Sequence, residues 1–185
     1  MSVRLTLFCA GAGPAVREAR FDDGPLDTTG LHEVRAVADS MPAAALCLRS
    51  PSVRCAQTAD ALGVEAEARK ELRDLDTGHW RGRTLGEVAG ADPEGLAQWT
   101  TDPGAAPHGG ESVEQLCARV ADWMDALPGD AGRVLCVVEP AVVRAGIVHA
   151  LGTPPAAFWR IDVPPLSGIV LTGRSGRWNM RTGGV

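Results

Sequence analysis

Ser50-Pro-Ser-Val-Arg54-Cys-Ala-Gln-Thr-Ala59 is the stretch on which the fold of this chain turns. It follows the apolar run Ala43 to Leu48, which reads as a buried strand. It leads into a helix that opens at Pro51 or Ser52 and runs to about Leu62. The order is strand, tight turn, helix, with a serine and an arginine at the turn. In α/β sheets, side chains that touch ligands collect where strands end and helices begin.

Two other junctions of the same kind flank it. Val3 to Cys9 alternates and then turns solidly apolar, ending at Ala10-Gly-Ala-Gly13. Arg133 to Val138 is the clearest buried strand, with a helix over Val142 to Leu151 directly behind it. Between them, a loop reaches Pro25, and Leu31, Val34, Val37 and Ala38 recur at helical spacing after Asp27-Thr28-Thr29. Arg69 to Thr77 reads as a loop with a short helical turn, and two short helices lie near Thr84 to Ala89 and Pro93 to Thr100. Asp102 to Gly110 is a loop. An amphipathic helix over Ser112 to Leu127 turns Val113, Leu116, Val120, Trp123 and Leu127 inward, and strands near Gly168 to Thr172 and Trp178 to Arg181 close the chain. This alternation predicts an α/β three-layer sandwich: one domain over residues 1–185, with a largely parallel central sheet and helices on both faces.

Composition narrows the partners. A chain of 185 residues, 45% hydrophobic and 22% charged, can bury a core without staples. The net charge of −5 leaves no footprint for nucleic acid or an anionic membrane. Five cysteines without a CxxC pair point to reduced thiols and a cytoplasmic setting. No apolar run approaches a membrane span. The expected partner is a small-molecule ligand of unknown identity, with a homodimer as the candidate assembly.

With one loop added, the three junctions resemble the histidine phosphatase (phosphoglycerate mutase-like) superfamily. Its members open with a strand ending in Arg-His-Gly and carry a turn of the form Ser-Pro-x-x-Arg-x-x-Gln-Thr-Ala. An acidic residue follows in Leu-x-Glu-x-x-x-Gly-x-Trp-x-Gly, then Gly-Gly-Glu-Ser, then a strand ending in His-Gly-Gly-x-x-Arg. Ser50 to Ala59 matches the second motif. Leu72-Arg-Asp74-Leu-Asp-Thr-Gly78-His-Trp80-Arg-Gly82 matches the third, with Asp74 for the usual glutamate, and Gly109-Gly-Glu111-Ser112 matches the fourth. Phe158 to Ser167 matches the family's connection into its last strands.

The first and last motifs break. Cys9 stands where the arginine belongs and Ala10 where the nucleophilic histidine belongs, while Glu139 takes the place of the second histidine. Gly11 and Arg144 remain as frame residues. In the resembled mechanism the first histidine attacks phosphorus, cationic groups neutralise the phosphate oxygens, and the acid protonates the leaving group. An alanine methyl cannot attack. Arg54 facing Asp74 and Glu139 sets one cation against two carboxylates, where phosphoryl transfer needs positive charge.

The resemblance therefore implies a pseudophosphatase, a ligand-binding or regulatory module without the catalytic histidines. The alternative is a repurposed enzyme or metal-binding protein that uses Glu139, Asp74 and Cys9 in the old cleft. Cys9 reads either as a substitute nucleophile or as a small buried hydrophobe. Glu139 reads either as a nucleophile or base, or as an ion-pair partner that neutralises Arg54. Arg54, Gly11, Glu111, Ser112, His79 and His108 are the candidate ligand-binding residues, the two histidines as rim positions. No cofactor is expected, although Cys9, Asp74 and Glu139 with His79 or His108 would suit a divalent metal.

Overall fold

The computed structural model describes residues 2–181. In chain order its strands and helices are β1 (Val3–Cys9), α1 (Pro14–Arg17), α2 (Thr28–Val37), β2 (Leu46–Arg49), α3 (Val53–Ala61), β3 (Glu67–Ala68), α4 (Leu85–Ala91), α5 (Pro93–Thr101), α6 (Val113–Asp125), β4 (Arg133–Val138), α7 (Pro140–Leu151), β5 (Gly168–Arg174) and β6 (Arg177–Arg181). Beyond Arg4 and Arg133 at their starts, β1 and β4 are largely apolar on both faces, because both faces are covered there. They pair in parallel at the centre of a six-stranded sheet of order β3-β2-β4-β1-β5-β6. β2 joins β4 and β3 joins β2 in parallel, while β5 and β6 run antiparallel.

The alternating side chains of these strands divide the core in two. Leu5, Leu7, Val134, Cys136 and Val138 pack beneath α6 and α7, and Phe8, Leu135 and Val137 pack against Val34 of α2 and Cys55 and Ala59 of α3. The expected sandwich is the one observed. Gly146 lets α7 lie close on β1, since a Cβ there would collide with Leu7. A third cluster, Trp80, Val88 and Trp99 with Phe21 and Trp159, holds α4 and α5 beside the C-terminal end of the sheet. No helix among the described residues is long and apolar enough to cross a membrane.

Several boundaries differ from the sequence reading, each for a local reason. β2 starts at Leu46 instead of Ala43, because Ala43 and Ala45 face solvent and only Leu48 is buried. β3 carried no apolar signal, since both of its residues are exposed. α1, a four-residue helix, lies inside the expected loop. α7 begins two residues early. Pro140 occupies its first turn, where a missing N–H costs nothing, and Gly152 ends it in the left-handed conformation (φ 61°).

Candidate active-site cleft

Beyond the C-terminal ends of β2 and β4 opens a cleft of about 890 Å³, with the end of β1 buried beneath it. The first turn of α3 supplies one wall. Ser52 caps that helix, accepting from the Cys55 N–H at 3.1 Å, and donates its hydroxyl to Glu139 Oε1 at 2.8 Å. Asp23 reaches the same helix end from a distant loop and accepts from the Val53 N–H at 2.9 Å. A carboxylate is stabilising at that positive end.

Glu139, at the N-cap of α7, is 1% exposed and fully engaged. Arg54 donates Nε to its Oε2 at 3.2 Å and a terminal guanidinium nitrogen to the same oxygen, and the Cys55 thiol donates to Oε1 at 3.6 Å. Of the two sequence readings of Glu139, the ion pair with Arg54 is what the structure contains. Burial pulls the Arg54 guanidinium down, and the Glu139 charge and hydrogen bond more than restore it, so it ends above its ordinary value. The ion-paired floor is closed and internally neutral.

Asp74 faces the cleft from the loop after β3. Enclosure by the cleft walls raises its carboxyl first, the Glu139 charge second, to about 7. More than a third of the residue is nevertheless open to cleft water, so the shift is upward but screened. Because the folded chain holds this proton above the ordinary carboxylate range, stability falls as pH rises from about 4 through about 7 and then levels off. Asp74→Asn keeps the acceptor for the Leu75 N–H at 2.8 Å. It is expected to match the wild-type melting temperature at pH 4 and to exceed it at pH 8, as scanning fluorimetry across that range would report.

Cys9 and Ala10 lie beneath the cleft, 1% and 3% exposed, and neither lines it. Burial first, and then Glu139, pushes the Cys9 thiol up to about 12, which leaves no thiolate for nucleophilic attack. Gly11 is a frame residue: its N–H donates to the Thr58 hydroxyl at 3.1 Å, and a Cβ would press on Val34. Ser112 caps α6 in a reciprocal box with Gln115.

Glu111 sits behind the cleft. It accepts two bonds from Arg119, at 2.8 and 2.7 Å, while Arg119 also donates to the carbonyls of Glu71 at 2.6 Å and Arg73 at 3.1 Å. The pair pins the loop that presents Asp74. Glu111→Gln is expected to cost about 1–2 kcal/mol in urea unfolding by weakening a charge-assisted bond.

The histidines do not sit as rim residues of the cleft. His108 is 1% exposed, with Nδ1 accepting from the Gly110 N–H at 3.0 Å and its ring against Trp80. Its backbone carbonyl accepts from the N–H of the exposed His79, and neither side chain lines the cleft. Among the described residues no three His, Cys, Asp or Glu side chains converge as metal ligands.

The expectation that Arg54 was the lone cation needs correction, because Arg144 also lines the cleft. Its Nε donates to the Ile161 carbonyl at 2.7 Å, and its guanidinium lies over Phe158 and Trp159, 5.5 and 5.7 Å from the ring centroids. Burial lowers its pKa. It lies five residues, about one and a half helical turns, beyond Glu139, in the N-terminal half of α7. Arg20, Arg73 and Arg81 also line the cleft, each paired with an acid.

Comparison with known proteins agrees with this architecture. The bifunctional protein Rv2228c of Mycobacterium tuberculosis is 31% identical over 130 residues, 68% of this chain but 33% of the relative. The glucosyl-3-phosphoglycerate phosphatase of Mycolicibacterium vanbaalenii is 32% identical over 126 residues, 59% of this chain and 54% of the relative. The chain thus spans a third to about half of these curated relatives. Among solved structures, a vanadate complex of mycobacterial glucosyl-3-phosphoglycerate phosphatase superposes with a TM-score of 0.82 at 26% identity, covering 96% of both chains. A mutant phosphoserine phosphatase of Entamoeba histolytica with phosphoserine reaches 0.86 at 17% identity over 97% of this chain and 95% of that one, a likeness of fold. The family profile of the histidine phosphatase superfamily, branch 1, matches residues 15–184, and the chain belongs to that superfamily.

Proposed function

We propose that this chain uses the superfamily scaffold as a non-hydrolytic ligand-binding module, a pseudophosphatase. The observation that carries the reading is the buried Arg54–Glu139 pair. The guanidinium that would meet a phosphate oxygen is already occupied by a carboxylate of the same chain. The end of β1 supports the same reading, because Ala10 offers no nucleophile and the Cys9 thiol is buried and protonated. The cleft remains large enough for a metabolite-sized ligand. Mycobacterial relatives carry the name glucosyl-3-phosphoglycerate phosphatase. This chain is proposed to share their scaffold without their hydrolysis.

Millimolar inorganic phosphate is expected to leave the melting temperature of the protein unmoved, because only a ligand that binds the folded state raises it. A rise of several degrees that Arg54→Met removes would show that Glu139 does not keep Arg54 from an anion, and would remove the observation on which the proposal rests.

A second reading rests on Asp74. A carboxyl held near neutrality and open to the cleft can give or take a proton around pH 7, as a repurposed acid–base enzyme would require. Its mark would be a ligand chemically altered by the wild-type chain and returned unchanged by Asp74→Asn.

A further inference from the structure

The end of the sheet remote from the cleft carries a second, chemically different surface. The strand register places Arg133 of β4 beside Arg4 of β1, Arg4 beside Thr172 of β5, and Thr172 beside Asn179 of β6. Residues directly opposite in register share a face, and so do residues two apart along a strand. Arg174, Arg177 and Arg181 therefore join Arg4 and Arg133 on one face. It is the face that packs against α2 and α3 farther along, where Leu135 and Phe8 are buried.

At this end the face is uncovered: Arg4 is half-buried and the other four arginines are exposed. None of the five makes an ion pair or a side-chain hydrogen bond among the described residues. The ion pairs among the described residues all involve other cations. Five cations without an acidic partner among the described residues thus share one face in a chain whose net charge is −5.

Charge on an edge strand alone would be ordinary protection against aggregation. Here Arg4 and Arg133 lie on interior strands, which edge protection does not explain; about 14 and 19 Å from a strand added at β6, they would act on it through long-range field and not through contact. β6 is also an edge that pairs only with β5 among the described residues, so its outer N–H and C=O groups are free to accept another strand. Its other face presents Trp178, packed into the core, and the partly exposed Met180.

We infer that β6 and the arginine face beside it form a docking site for an extended acidic segment of a partner protein, which adds to the sheet as a further strand. A strand laid along β6 turns alternate side chains to opposite faces. Carboxylates at every second position would meet Arg177, Arg181 and Arg174, and the intervening apolar residues would extend the surface of Trp178 and Met180. The partner's pattern is therefore acidic and apolar in strict alternation. The arginine face holds no aromatic side chain on which bases could stack, which argues against single-stranded nucleic acid.

The test is fluorescence anisotropy with a labelled peptide of four Glu-Val repeats and the whole protein. Saturable binding is expected. It should weaken with added salt, fall at least tenfold in Arg177→Glu/Arg181→Glu, and stay unchanged in the cleft variant Asp74→Asn. Circular dichroism of the charge-reversed variant should match the wild type, since both positions are exposed. The inference is overturned if the peptide fails to bind, or if a Lys-Val peptide or one N-methylated at alternate amides binds equally well. It is also overturned if duplex DNA binds more tightly than the peptide. Self-association in sedimentation velocity that charge reversal abolishes and the peptide does not displace would give the site to a second copy of the chain, and would overturn it as well.

Discussion

Arg54→Met is expected to unfold about 3–5 kcal/mol more easily than the wild-type chain, as the midpoint and slope of urea denaturation would report. The reason is Glu139. It is 1% exposed, and Arg54 is the cation bonded to it. Removing that cation leaves a buried carboxylate held only by the Ser52 hydroxyl and the Cys55 thiol. The Coulomb gain of the intact pair largely offsets its own desolvation, so the pair is expected to matter little as a pair and greatly when halved. Arg54→Met combined with Glu139→Leu should therefore recover most of the lost stability. A double variant as unstable as the sum of the single ones would mean that the pair organises the cleft in a way that apolar packing cannot replace.

Glu139→Gln is expected to convert the cleft into an anion site. A carboxylate ~4 Å from a phosphate oxygen costs on the order of 4 kcal/mol at an effective dielectric of ~20, which corresponds to roughly a thousandfold in affinity. The amide is neutral, and it leaves the Arg54 guanidinium short of a counter-ion. The variant alone should melt below the wild type. Phosphate should then supply the missing negative charge, so its melting temperature should climb with phosphate concentration while the wild type stays flat. Calorimetric titration would give the dissociation constant directly. An unchanged, unmeasurably weak affinity in a folded Glu139→Gln protein would mean that shape, and not charge, excludes the anion.

These expectations depend on features that differ in how legible they are from sequence. The Ser50 to Ala59 junction could be read because a strand, a cap and a helix follow one another within a few residues, each with its own local signature. The central strands could be read because burial on both faces leaves continuous apolar runs. β3 could not, since its two exposed residues are held only by pairing with β2.

At the cleft, Glu139 could be singled out because it follows the clearest buried strand and opens a helix. Its pairing with Arg54, 85 positions away, depends on how β2 and β4 lie side by side. The role of Arg144 needed the ring positions of Phe158 and Trp159, which no spacing encodes. Glu111 and His108 matched a motif or offered suitable chemistry, yet their side chains turn to Arg119 and Trp80, because the loop between α5 and α6 folds behind the cleft wall. The arginine face is assembled from four strands and has no local signature at all.

The measurement that bears most directly on the proposed absence of phosphatase chemistry is phosphate release by the purified wild-type chain, with a generic aryl phosphate and with glucosyl-3-phosphoglycerate as substrates. The expected result is a rate no greater than that of substrate alone across pH 5 to 8, with no phosphoenzyme trapped on acid quenching. Turnover that disappears in Glu139→Gln and survives in the surface control Arg35→Gln would contradict it, and would mean that a different group in this cleft attacks phosphorus.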